Sequence, residues 1–164
     1  MEAMVFSHPD VLVVAADHPS LDGAIASFGA ELRAEPRYFG RRGQRAARPS
    51  PWLVERLTTP GCRHRLAGMI DGNVAAVAAL DDDAPDGPEL LIAVAAPWRQ
   101  QGLAFALGRE IVARATERGL QRIVLRTSYK SSDVRQAGYD LGLEPVDLGR
   151  GCLALVRRLD RQSA

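Results

Sequence analysis

Between Glu89 and Val112 the chain reads ELLIAVAAPWRQQGLAFALGREIV: an apolar run, a Pro-Trp-Arg corner, then a helical pattern with a glycine at its mouth. Leu103, Leu107, Ile111 and Ala115 recur every four residues, the apolar stripe of an amphipathic helix, and Gly119 is a natural stop. The run before the corner, residues 89–95, suits a buried strand, and RIVLRT at 122–127 supplies the next one. If those two strands are neighbours, a helical crossover between them requires parallel pairing. The unit therefore points to an α/β or α+β chain.

The flanking segments fit around it. VLVVAA at 11–16 is a short valine-rich strand, and Leu21, Ile25, Phe28 and Leu32 then follow at helical spacing, with Pro19 near the start. Residues 33–48 carry six arginines with Tyr38, Phe39, Gly40 and Gly43, without a period, and read as a loop with helical turns. Ser50 and Pro51 suit the N-cap and first position of a short helix through Trp52, Leu53, Val54 and Leu57. RLAGMI at 65–70, Asp71-Gly72 and NVAAVAAL at 73–80 read as two strands joined by a tight hairpin. Asp81-Asp82-Asp83 with Pro85, Gly87 and Pro88 reads as a hydrated turn before Glu89. Beyond RIVLRT, Val134, Ala137 and Leu141 mark a helix ending at Gly142, and VDL, Gly-Arg-Gly and CLALVRRL suggest a closing hairpin.

With 164 residues and no internal repeat, the chain suits a single domain over 1–164. Its 46% apolar and 25% charged residues fit a globular rather than a disordered chain. A formal net charge of +1 creates no field toward nucleic acid or an anionic membrane, so neither is an expected partner. Lys130 is the only lysine, so single arginines say little about function. Cys62 and Cys152 do not make a disulfide framework. No apolar run approaches the ~18 residues of a membrane span. MEAMVFSHPD lacks a basic stretch leading into an apolar one, so the expected location is cytoplasmic.

The corner carries the chemistry. A helix N-terminus exposes unpaired N–H groups and a partial positive charge, and small residues around it let the backbone touch phosphate oxygens. Gly102 and Ala104 are the small residues, with Arg99, Gln100 and Gln101 leading in. The segment lacks both the Gly-Lys-Ser/Thr of a nucleoside-triphosphate loop and the Gly-x-Gly-x-x-Gly of a dinucleotide fold. A pyrophosphate on another carrier remains.

Arg99-Gln100-Gln101-Gly102-Leu103-Ala104 resembles the Arg/Gln-x-x-Gly-x-Gly/Ala signature of the GCN5-related N-acetyltransferase (GNAT) family. The order of elements over roughly 60–158 resembles that family too. The resemblance implies a mixed, mostly antiparallel sheet of about six to seven strands, flanked by about four helices, with two parallel strands that splay. It implies acetyl-CoA as co-substrate, its pantetheine arm against main-chain groups of Ile92, Ala93 and Val94. The pyrophosphate would lie on Gln101, Gly102, Leu103, Ala104 and Phe105, with Arg99 and Gln100 completing the loop.

Glu89 stands nine residues before Trp98, a spacing similar to that of a bacterial protein-lysine acetyltransferase subgroup. Tyr38-Phe39-Gly40, followed by LVERLT at 53–58, resembles the same subgroup. There the strand glutamate is the general base, so Glu89 is the catalytic candidate; the alternative is a strand-edge carboxylate facing water. The resemblance implies a small amine or a protein lysine as acceptor and leaves a homodimer open. Two departures stand out. The tyrosine many members carry on the last helix falls on Gly138, one residue from Tyr139, and a one-residue offset turns a helical side chain by about 100°. The asparagine usual at that helix's start is replaced by Ser131 or Ser132.

Cys62-x-His64 has no second pair of ligands, so no metal is expected, and a Cys62 nucleophile is set aside as well. The arginine-rich loop reads as solvated. The reading is an acyl-CoA-dependent N-acyltransferase working by direct transfer, with a non-catalytic acyl-CoA sensor or accessory module as the alternative.

Overall fold

A computed structural model of the protein describes residues 11–35, 50–126, 132–147 and 153–159. The arginine-rich segment from 36 to 48 and the Gly-Arg-Gly turn lie outside these residues, as do Thr127 and Ser131. Seven strands form one sheet: β1 (Leu12–Ala15), β2 (Arg65–Ile70), β3 (Asn73–Asp81), β4 (Glu89–Val94), β5 (Arg122–Arg126), β6 (Glu144–Asp147) and β7 (Leu153–Arg158). Their order is β1-β2-β3-β4-β5-β7-β6, and only β4 and β5 are parallel. Four helices complete the described chain: α1 (Asp22–Ala34), α2 (Pro51–Thr58), α3 (Leu103–Glu117) and α4 (Ser132–Asp140). The mixed sheet, the splayed parallel pair and the four helices are those expected.

Local chemistry explains the elements. Ser50 caps α2, its hydroxyl accepting from the Leu53 amide at 3.2 Å, and Pro51 opens the helix. Asp71 at φ 51° and Gly72 at φ 76° close the β2–β3 hairpin in the left-handed region, as a two-residue primed turn requires. Strand alternation then divides the core into two layers. Leu90, Ile92 and Val94 pack with α3 and α4, while Leu91 and Ala93 pack with α1 and α2.

One buried cation joins the second layer. Arg65 is 1% exposed and donates to the carbonyls of Ala16, Leu57 and Thr59 and to the Asp22 carboxylate at 2.7–3.1 Å. It ties the end of β1, the start of α1 and the end of α2 to β2. A buried charge is tolerated where its donors are satisfied in this way.

Candidate active site

The parallel pair parts almost at once. Glu89 and Val124 are the sole register pair between β4 and β5, with the Val124 amide donating to the Pro88 carbonyl at 2.9 Å. Beyond that pair, the strand partner of β4 is β3. The Ala95 amide donates to the Ala75 carbonyl at 2.9 Å, which fixes the phase of that ladder. Residues 89, 91 and 93 therefore exchange bonds with β3, and the main-chain groups of Ile92 and Val94 face the open edge.

The chain leaves this edge through a 3₁₀ turn, Ala96–Trp98, whose tryptophan packs against both core layers. Gln100 sits at φ 60° and Gly102 at φ 87°, so the backbone bends sharply before α3 begins. The N-cap residue of that helix, Gly102, makes no side-chain cap hydrogen bond, and a Cβ on it would meet no atom within 4 Å. The first helical bond runs from the Ala106 amide to the Gly102 carbonyl at 3.0 Å, so the amides of residues 103–105 precede the α-helical ladder. A cavity of about 430 Å³ opens in front of them, lined by Val94, Trp98, Gln100, Gly102, Leu103, Ala104 and Phe105, and across from these by Gln136, Ala137 and Asp140 of α4.

Six of the ten residues expected to hold the carrier thus line one cavity. The other four are placed differently. The Ile92 side chain belongs to the α3–α4 core, leaving its main chain on the open edge. Ala93 turns its main chain to β3 and its methyl group to the α1–α2 core. The Gln101 side-chain amide donates back to the Pro97 carbonyl at 3.1 Å. Arg99 points away from the helix mouth, to the Val94 carbonyl and the Glu35 carboxylate at 3.0 and 2.6 Å.

Glu89 is 1% exposed, so it is not a water-facing edge charge. It lies across from Asp81 on β3, and its Oε2 is 3.4 Å from Arg126 Nε, within ion-pair range. That Nε is buried without a hydrogen-bond partner, whereas Nη2 of the same arginine donates to Asp86 at 2.8 Å. A second cavity, about 610 Å³, is lined by Glu89, Arg126, Asp81, Asp83, Arg56, Trp52, Ser50, Ala84 and Pro85.

The acidic run is more than the hydrated turn expected of it. Asp81 ends β3 with its side chain 8% exposed and paired to Arg56, and Arg118 and His64 hold Asp82 at 2.8 and 3.5 Å. Arg56 lies 5.9 Å over the Trp52 ring. Burial pushes the Cys62 thiol above its ordinary value of 9.0, against the pull of Arg65 and Arg56. Among the described residues, no group of three or more His, Cys, Asp or Glu could hold a metal ion. No described helix is long and apolar enough to cross a membrane.

The model of the acetyltransferase (GNAT) family matches residues 30–141, most of the chain. The chain belongs to the GNAT acetyltransferase family. Among solved structures it is similar to the GNAT domain of S. lividans PAT, with 22% identity, a TM-score of 0.62 and coverage of 91% of this chain and 89% of that one. A GNAT-family acetyltransferase from Streptococcus pneumoniae is 15% identical with a TM-score of 0.66, covering 92% and 99%. Salmonella typhimurium yncA, solved with its cofactor acetyl-CoA, is 16% identical with a TM-score of 0.60, covering 94% and 97%. No curated protein matches by sequence. The family makes this chain an acyl-CoA-dependent N-acyltransferase.

The last helix departs from the pattern expected of it. Gly138 fills the expected tyrosine position, and a Cβ there would lie 2.7 Å from Leu125 and 2.8 Å from Leu155, so it seats α4 against β5 and β7. Tyr139 is 50% exposed and does not line the cavity at the α3 mouth. Arg126 and Glu35 were not foreseen. Neither had a sequence signal, since each acts through a partner distant along the chain.

Proposed function

We propose that the protein acetylates a primary amine, with a protein lysine as the first acceptor to test, using Glu89 as general base. The observation that carries this is a buried carboxylate at the parting of β4 and β5, on the wall of a cavity, while the same strand leads to the mouth of α3. The spacing of Glu89 and Trp98, similar to that of bacterial protein-lysine acetyltransferases, supports the lysine reading.

The amides of residues 103–105 and the cleared flank of Gly102 suit the carrier's pyrophosphate. The open edge at Ile92 and Val94 suits its pantetheine arm, added like a strand. The Ile92 amide, on the same open edge and nearer Glu89, suits polarisation of the thioester carbonyl. The amine nitrogen forms a bond to the carbonyl carbon, the carbon–sulfur bond breaks, and the sulfur leaves as thiolate. Glu89 takes the amine proton, directly or through one water. Burial raises the Cys62 thiol above its ordinary value, which weakens it as a rival nucleophile.

The test is thiol release from acetyl-CoA with a panel of lysine peptides and small amines, beside calorimetric binding of acetyl-CoA. Release with lysine peptides is the expected result. Binding without release for every acceptor would favour the sensor, a reading to which the missing helix tyrosine lends some weight.

A further inference from the structure

Arg99 opens the family signature, yet its guanidinium turns from the α3 mouth. Nε donates to the Val94 carbonyl at 3.0 Å, and Nη2 donates to Glu35 Oε2 at 2.6 Å. The other carboxylate oxygen, Glu35 Oε1, accepts from the Ala96 amide at 3.0 Å. Glu35 is the C-cap of α1, so one carboxylate reaches from the first helix to both arms of the corner. The two side chains are 24% and 13% exposed, and charge-assisted bonds of this kind are stronger than neutral ones.

We propose that Arg99 is a positioning residue rather than a phosphate ligand: held by Glu35, it occupies the Val94 carbonyl and fixes the corner between β4 and α3. The inference rests on the acetyl-CoA reading above and deepens it. Along the open edge, Ile92 offers a donor and an acceptor, whereas Val94 offers its amide beside a carbonyl already engaged by Arg99. A carbonyl of the carrier is thereby matched to the end of the edge, and an N–H is not. Loss of the clasp frees the Val94 carbonyl, which would face that carbonyl oxygen with like partial charge, and lets the corner drift.

The experiment is a calorimetric comparison of acetyl-CoA affinity in the wild type, Glu35→Gln, Arg99→Gln, Arg99→Lys and the double Glu35→Gln/Arg99→Gln variant. Each single change should weaken binding about tenfold, the scale of one charge-assisted hydrogen bond. Lysine should not rescue, because it keeps the charge but cannot donate to Val94 and Glu35 through one fork. The double variant should bind no worse than Arg99→Gln, since both changes break one unit. A phosphate ligand would behave otherwise: lysine would restore affinity, and Glu35→Gln would cost nothing. Either result overturns the proposal. Glu35→Gln keeps the shape of the clasp, so the comparison with Arg99→Lys stands even if Arg99→Gln does not fold. A wild-type chain that binds no acetyl-CoA would sink the carrier reading and the clasp together. Tight binding indifferent to all four variants would sink the clasp alone.

Discussion

At Glu89 two influences meet on one carboxylate. It is buried in the sheet, and the Arg126 guanidinium stands 3.4 Å away. Both side chains line the same cavity, where a carboxylate can meet an incoming amine. Glu89→Gln preserves shape and removes the base. Turnover at neutral pH should fall roughly 100-fold, within the usual range for a positioned base, with acetyl-CoA affinity unchanged. Thiol-release kinetics and calorimetry read the two quantities separately, and undiminished turnover would strip Glu89 of the role. Cys62 gives a prediction with a definite sign. Its thiol is raised above 9.0 by burial, so near pH 7.5 it should alkylate more slowly than a free cysteine, with the difference vanishing in denaturant. The linked stability is in full below the unfolded value and is lost as pH rises through the folded one. Peptide mapping after timed alkylation follows Cys62 by itself. The sequence could single out Glu89 because a carboxylate opens an apolar strand. Arg65 was not legible: in RLAGMI it reads as an ordinary strand-edge charge, and its four partners come from other segments.

At the scale of elements, periodicity carried the reading. Leu103, Leu107, Ile111 and Ala115 all proved buried on α3, and Asp71-Gly72 made the turn its two residues favour. What escaped depends on phase and on distance. Which of residues 92–94 face the open edge is settled by the ladder to β3, and a strand read alone has no such phase. Arg99 was legible as part of a signature, but its partner Glu35 stands 64 residues earlier, and a non-local ion pair leaves no mark in one sequence. The α3 mouth yields its own test. Gly102 at φ 87° is a conformation that a β-branched side chain resists, yet a Cβ would clash with nothing in the protein. Gly102→Val should therefore cost about 1–3 kcal/mol of stability through the backbone. It should also weaken acetyl-CoA binding by about tenfold or more, because a side chain would then stand where the proposed site receives phosphate. Gly102→Ala should fall between. Thermal unfolding and calorimetry measure the two effects, and a valine variant that binds as tightly as the wild type would remove the α3 mouth from the carrier site.

For the molecule as a whole, the parting of β4 and β5 interrupts the sheet where the two helical layers are otherwise tied through it. On one side stand α1 and α2, joined to the sheet by Arg65 and to the corner by Glu35; on the other stand α3 and α4. A ligand seated along the open edge and between the α3 mouth and Gln136 and Asp140 would bridge segments that the chain itself leaves apart. Anything that binds the folded state alone stabilises it by mass action, about 2.7 kcal/mol at a ligand concentration of 100 Kd. For a chain of this length that is a rise in melting temperature of roughly 5–10 °C. Coenzyme A without its acetyl group should give nearly the same rise, since pyrophosphate and pantetheine make most of the contacts proposed here. Inorganic pyrophosphate should give much less, having no arm to add to β4. Scanning calorimetry against ligand concentration checks all three. Equal shifts from pyrophosphate and acetyl-CoA would mean that the open edge of β4 contributes nothing to binding and that the helix mouth acts by itself.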